Sequence, residues 1–166
     1  VVIIGAGTVA EYAARTAIGL GAEVKVFDNH IYKLRRLKEQ MAEPNLYTST
    51  IDNTTLGDAL MRADVSIGAL RGEKGRTPFM VSEDTIAQMK PNSVIIDVSI
   101  DQGGCFETSE VTNHIEPTFR KYDIIHYCVP NIASRVARTA TVAISNIFTP
   151  LLIQLADLGS IDEMIS

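Results

Sequence analysis

Residues 1–28 read VVIIGAGTVAEYAARTAIGLGAEVKVFD, and this stretch decides the fold. Val1 to Ile4 is a short apolar run rich in β-branched residues and ended by a glycine, the pattern of a strand buried on both faces. Ala10 to Leu20 carries Ala13, Ala14, Ala17 and Leu20 at helical spacing, and Gly21 closes the segment as a C-terminal cap. Glu23 to Asp28 is a second β run without polar alternation. Between the first strand and the helix stands Gly5-Ala6-Gly7-Thr8-Val9-Ala10, a G-x-G-x-x-A element. There Gly5 permits a tight turn, Gly7 lets backbone come close to a pyrophosphate, and Ala10 allows tight packing of helix on strand. The helix N-terminus offers its unpaired N–H groups to an anion. Asp28 ends the second strand about 20 residues on, where an acid binds the adenosine ribose hydroxyls and repels a 2′-phosphate. These residues point to NAD in preference to NADP. Arg35 and Arg36, the candidates for holding a 2′-phosphate, fall on an exposed helix face and read as solvated. A glycine turn in a doubly wound domain with no cofactor shares the pattern and stays open as an alternative.

The β-then-α rhythm continues outward from this unit. Ile31 to Met41 is an amphipathic helix with Ile31, Leu34, Leu37 and Met41 on one face. Leu46 to Ser49 is a short strand, Asn53 to Arg62 a helix, and Asp64 to Leu70 a strand. Ser82 N-caps a further helix, with Thr85 three residues on in place of the Glu of a full capping box. Ser93 to Val98 and Asp123 to Val129 are the last two strong strands. Alternating βα units on short connections predict a Rossmann-type, doubly wound sheet of about six parallel strands covered by helices on both faces, an α/β fold in three layers. From Arg135 to Leu158 the pattern is helical but contains Pro150, which predicts a kink or a restart. Arg71 to Pro78, with two Gly and a Pro, is the one long loop.

Composition narrows the function. The 166 residues carry a net charge of −5 with 46% hydrophobic positions, which describes one globular domain able to bury roughly 70% of its unfolded surface. Scattered charge with a negative balance offers no basic stripe, so nucleic acid is not an expected partner. No apolar run approaches the roughly 20 residues of a membrane span, and the opening run is too short for a secretory signal, so the reading is cytoplasmic. Cys105 and Cys128 stand far apart, and His30, His114 and His126 show no metal-ligand spacing, so neither a disulfide framework nor a metal site is expected.

Two later segments carry candidate chemistry. Val94 to Ile100 leads into Asp101-Gln102-Gly103-Gly104-Cys105. Ligands of open parallel sheets sit outside the carboxyl ends of the strands, so Asp101, before a Gly-Gly turn at such an end, is the candidate active-site group. A loop carboxylate capping local N–H groups would look the same. Asp97 is flanked by apolar residues and reads as structural. Val129-Pro130-Asn131-Ile132 ends the last strand, either beside a nicotinamide carboxamide or merely as a turn before the final helix. Cys105 has no activating histidine close in sequence and reads as an inert thiol.

Together, GAGTVAEYAARTAIGLGAEVKVFD, IDVSIDQGGCFETS, and HYCVPNI followed by ARTATVAISN resemble the NAD-binding domain of the alanine dehydrogenase family, which includes the nicotinamide nucleotide transhydrogenase alpha subunit. The resemblance runs from Val1 to about Gly159, and the middle motif is its most specific part. Transhydrogenases usually carry Glu-Gln-Gly-Gly there, so Asp101 brings the chain nearer to the alanine dehydrogenases. The resemblance implies that Gly5, Gly7 and Val9 lie along the pyrophosphate, Asp28 on the adenosine ribose, and Lys33 and Ser49 near the adenosine half. It places Ala69 and Leu70 at the strand end facing the cofactor, Asp101 as the active-site aspartate that also contacts the cofactor, and Val129, Asn131 and Ile132 beside the nicotinamide. Pro130 and Ile132 depart from the more usual Val-Ala-Asn-Met, and the Arg71 to Pro78 loop departs from Pro-Gly-Ala-Lys-Ala-Pro.

The family's substrate-binding Arg and Lys and its catalytic His come from another domain, and no residue of this chain matches them. Residues 1–160 are therefore expected to be an NAD(H)-binding domain and 161–166 the start of the return to a catalytic domain. The chain then reads as part of a longer protein, inactive by itself, that acts on L-alanine and pyruvate and assembles as a homo-oligomer, a hexamer by resemblance. Two other functions share Gly5, Gly7 and Asp28: the NAD(H)-binding part of a transhydrogenase, and a nucleotide-sensing regulatory module.

Overall fold

The structure, a computed structural model, describes residues 1–72, 75 and 77–158. Its first unit, Val1–Pro130, is built on one seven-stranded sheet. The strands are β1 (Val2–Ile4), β2 (Val24–Phe27), β3 (Leu46–Ser49), β4 (Val65–Gly68), β5 (Val94–Asp97), β6 (Thr118–Lys121) and β7 (Ile124–Tyr127). They lie in the order β3-β2-β1-β4-β5-β7-β6, all neighbours parallel except β6 with β7. Helices α1 (Thr8–Gly19), α2 (Ile31–Met41), α3 (Asn53–Arg62) and α4 (Glu83–Ile86) connect them. The order reverses direction between β1 and β4, which opens a crevice at the carboxyl ends of those strands.

The pleat of β1 explains the two cores. Val2 and Ile4 join Phe27, Leu56, Leu60, Ile95 and Phe106 on one face of the sheet. Ile3 joins Ala10, Ala14, Val24, Val26 and Leu37 on the other. A strand covered on both faces has no polar positions to spare, which is why β1 reads as an unbroken apolar run. Two helix starts follow side-chain capping: the Asp52 carboxylate accepts from Thr54 N and Thr55 N at 3.1 and 2.9 Å to begin α3, and Ser82 Oγ accepts from Thr85 N to begin α4. Leu34, Leu37 and Met41 of α2 are buried as the helical spacing requires, whereas Ile31 is 63% exposed and leaves the apolar face expected for it.

The strand the sequence reading lacks is β6. It is an antiparallel edge strand with alternately exposed positions, joined to β7 through Tyr122 and Asp123, both at positive φ (54° and 59°). That backbone is the two-residue hairpin turn usually made by Asn-Gly, so Tyr-Asp gave no turn signal.

His126 of β7 is buried between these strands and stacks on Phe119 at 4.7 Å between ring centroids. With its Nδ1–H donating to the Ile124 carbonyl (3.1 Å), Nε2 accepts from the Thr108 hydroxyl (2.8 Å), so the neutral ring satisfies both nitrogens. Burial is the largest influence and holds the ring's pKa below the usual histidine value. Lys121 adds to that lowering, against the opposing pull of the Ile124 carbonyl, Glu110 and Asp97. As pH falls below about 6.5 the unfolded chain binds this proton before the native state does, so stability present above that pH is lost. The melting temperature of the wild type is expected to fall more steeply between about pH 7.5 and 5.5 than that of His126→Gln. Parallel declines would remove His126 from the account.

A second unit begins at Asn131. A 3-10 turn (Ile132–Val136) runs into α5 (Ala137–Leu158), which continues through Pro150 without the restart that the proline suggested. Within this unit 132–157 is long and apolar enough, by length and composition, to cross a membrane. This corrects the reading that no such stretch exists: Thr139, Thr141, Ser145, Asn146 and Thr149 interrupt the run to the eye, yet carry no charge and leave its mean hydropathy high. Length and composition alone do not separate a span from a helix that packs on protein. The expected return segment 161–166 lies outside the described residues.

Candidate functional site at the switch point

Gly5 and Gly7 are glycines for different reasons. Gly5 has φ +110°, and a Cβ there would stand 2.5 Å from the Ala69 carbonyl oxygen, so packing against the end of β4 demands glycine. Gly7 has φ −87° and ψ −169°, extended backbone open to any residue, and a Cβ there would meet nothing within 4 Å. Gly7 is the N-cap of α1 and supplies no side-chain hydrogen bond to the free N–H groups of the first turn. The fold does not require glycine here, and the first-turn N–H groups are left without a side-chain cap.

The space beside Gly7 is a cleft of about 580 Å³ lined by Gly5, Gly7, Asp28, Lys33, Ala69 and Leu70, with Arg71 and Gly72 on its rim. Asp28 is 3% exposed and tightly held. One carboxylate oxygen accepts from Ala6 N (2.8 Å), and the other from His30 N and His30 Nδ1 (both 2.8 Å). Burial pushes the Asp28 carboxyl up; the hydrogen bonds from His30 and Ala6 and the charge of Lys33 outweigh it and hold the group below the usual carboxylate range. The carboxylate is therefore anionic at neutral pH and fixed to the glycine loop. Sequence reasoning missed His30; the Asp-x-His spacing just before a helix was the available signal.

Val9 is 47% exposed on the first turn of α1. Ser49 ends β3, its carbonyl accepting from Asp28 N at 3.3 Å, but its side chain lines a neighbouring depression with Ile31, Leu34 and Lys38 and not the cleft itself. Asp101 is exposed on a 3-10 turn (Val98–Gln102) at the carboxyl end of β5. That turn is moulded by Asp97, which is buried and surrounded by donors. It accepts from Ser99 N (3.0 Å), Cys105 N (2.9 Å) and Ser109 Oγ (2.7 Å). Gly68 and Gly104 pack so closely on it that a Cβ at either would lie 2.7 Å from a carboxylate oxygen. Burial, the largest influence, raises the Cys105 thiol, as it raises Cys128 to about 11, so neither is a ready nucleophile. Val129 is buried after β7. Asn131 and Ile132 open the second unit, with Asn131 at φ 50° accepting from Ser134 N at 2.9 Å.

A βαβ turn with open space at its second glycine, and an acid fixed at the next strand end, is one feature of a family as well as a geometry. Residues 1–165 match the model of the alanine dehydrogenase/PNT C-terminal domain. The chain belongs to that family. It is 45% identical over 161 residues to an alanine dehydrogenase from Mycolicibacterium smegmatis, covering 96% of this chain and 43% of that protein. Among solved structures it resembles an L-alanine dehydrogenase with a TM-score of 0.89 and 37% identity, over 95% of this chain and 44% of the other. A transhydrogenase from Sinorhizobium meliloti, at 24% identity, shares the fold with a TM-score of 0.77 over 93% of this chain and 44% of the other. The chain thus spans less than half the length of these relatives.

Proposed function

We propose that this chain is the NAD(H)-binding domain of an L-alanine dehydrogenase, which interconverts L-alanine, water and NAD with pyruvate, ammonia, NADH and a proton. The observation that carries the cofactor reading is the open space at Gly7, in a cleft that is also lined by an anionic Asp28 held to the glycine loop at Ala6 N. NAD, when bound, supplies the acceptor for the hydride leaving the alanine Cα. The residues of this chain bind and orient it. Backbone N–H groups after Gly7 receive the pyrophosphate. Asp28 accepts the ribose hydroxyls and excludes a 2′-phosphate by like charge, with Lys33 and Ser49 near the adenosine half. Ala69 and Leu70 form the floor at the end of β4, and Val129, Asn131 and Ile132 the segment for the nicotinamide. Asp101 positions the water that adds to the substrate imine, or the ammonia that adds to pyruvate in reverse. The names of the relatives support the substrate. The rest of the alanine site, in this reading, belongs to a second domain of a cytoplasmic homo-oligomer, a hexamer.

The reading is tested in the full-length protein. Alanine-dependent reduction of NAD, absent with other nucleotides or without alanine, is the expected result. NAD bound but no amino acid oxidised would leave a nucleotide-binding domain of different purpose.

A further inference from the structure

The turn that carries Asp101 and the rim of the nucleotide cleft belong to different connections, one after β5 and one after β4, yet they are joined at a single residue. The side-chain carbonyl of Gln102 accepts from Gly72 N at 3.0 Å, and its backbone carbonyl accepts from Thr77 N at 2.8 Å. Nearby, Ser99 Oγ donates to the Leu70 carbonyl at 2.9 Å. Leu70 and Gly72 line the cleft, and Gln102 directly follows Asp101 in the chain. Gln102 is half-buried and not part of either core. The glycine after it, at φ +98°, turns the chain away, so the residue touches the rim without lengthening the Asp101 turn.

We infer that Gln102 is a positioning residue that sets the rim of the nucleotide cleft in register with Asp101, so that cofactor affinity and turnover depend on the same amide. The inference rests on the cofactor and Asp101 readings above. It gives the Gln of the Asp-Gln-Gly-Gly turn a task of its own: an acceptor is needed at the reach of Oε1, because Gly72 N–H points there.

Two substitutions in the full-length protein separate this from a structural role. Gln102→Met keeps length and volume and removes the acceptor; Gln102→Glu keeps the acceptor. For Gln102→Met the Kd for NADH should rise about fivefold, the effect of one hydrogen bond. Its kcat for alanine oxidation should fall about tenfold from misplacement of Asp101, with the KM for alanine little changed and the melting temperature lower by about a few degrees, because the N–H of the buried Gly72 loses its acceptor. Gln102→Glu should stay within about twofold of wild type on both readouts, since the bond to Gly72 survives. Wild-type behaviour of Gln102→Met, or equal impairment of both variants, overturns the inference while the cofactor reading stands. Failure of the wild type itself to bind NADH overturns the cofactor reading, and this inference with it.

Discussion

Gly7→Val should abolish measurable NADH binding while the protein still folds. A Cβ at Gly7 would meet no atom within 4 Å beyond its own chain neighbours, and the backbone angles suit any residue, so an added side chain starts without strain. Losing the glycine N-cap of α1 costs about 1 kcal/mol, which is a fall of a few degrees in melting temperature. The side chain occupies the path of the pyrophosphate and denies it at least two backbone N–H groups, each worth about 1.5–3 kcal/mol to a charged acceptor. The Kd is therefore expected to rise about 100-fold or more. Gly5→Ala gives the contrasting pattern: at φ +110° and 2.5 Å from the Ala69 oxygen it should destabilise the fold itself. Thermal melts and NADH titrations of both variants check the pair. A Gly7→Val protein that binds NADH as well as wild type does would remove the ligand from the explanation of that glycine.

Asp101→Asn in the full-length protein should lower alanine oxidation by about 10²- to 10⁴-fold, the usual range for losing a group that handles a proton in the transition state. NADH affinity should be retained, because Asp101 does not line the cleft and its turn is shaped by Asp97. The substitution leaves the Asp97 hydrogen bonds in place, so the turn should keep its shape. Stopped turnover with unchanged binding is the signature of a group acting on substrate. Unchanged turnover would make Asp101 a loop carboxylate and nothing more.

The parts of the fold legible in the sequence are those where one physical demand dominates. Strands buried on both faces had to be apolar runs, and β1 was visible for that reason, with β2 nearly so. Asn53–Arg62 began and ended as read because Asp52 caps it. Where demands were weak or divided, the signal failed. The edge strand β6 alternates Thr, Phe, Arg and Lys and turns through Tyr-Asp, with neither a hydrophobic run nor a turn motif. Pro150 pointed to a restart, but α5 continues through it.

The candidate site was legible as far as it is local. Gly5, Gly7 and Asp28 follow from spacing along one βαβ unit, and the structure brings them to one cleft with Lys33, Ala69 and Leu70. Gln102 was not legible, because its importance lies in a partner across the fold, the Gly72 N–H; His30 was missed although its partner, the Asp28 carboxylate, stands two residues away. Asp97 looked merely structural in an apolar run; its carboxylate organises the turn from which Asp101 projects.

The central claim is that the Gly7 gap and the fixed Asp28 carboxylate form an NAD(H) site. Titration of the full-length protein with NADH and with NADPH, followed by nucleotide fluorescence, tests it most directly. Saturable NADH binding, with NADPH weaker by about tenfold or more, is expected from the charge of Asp28. Equal affinities would contradict the role of Asp28, and binding of neither nucleotide would contradict the site.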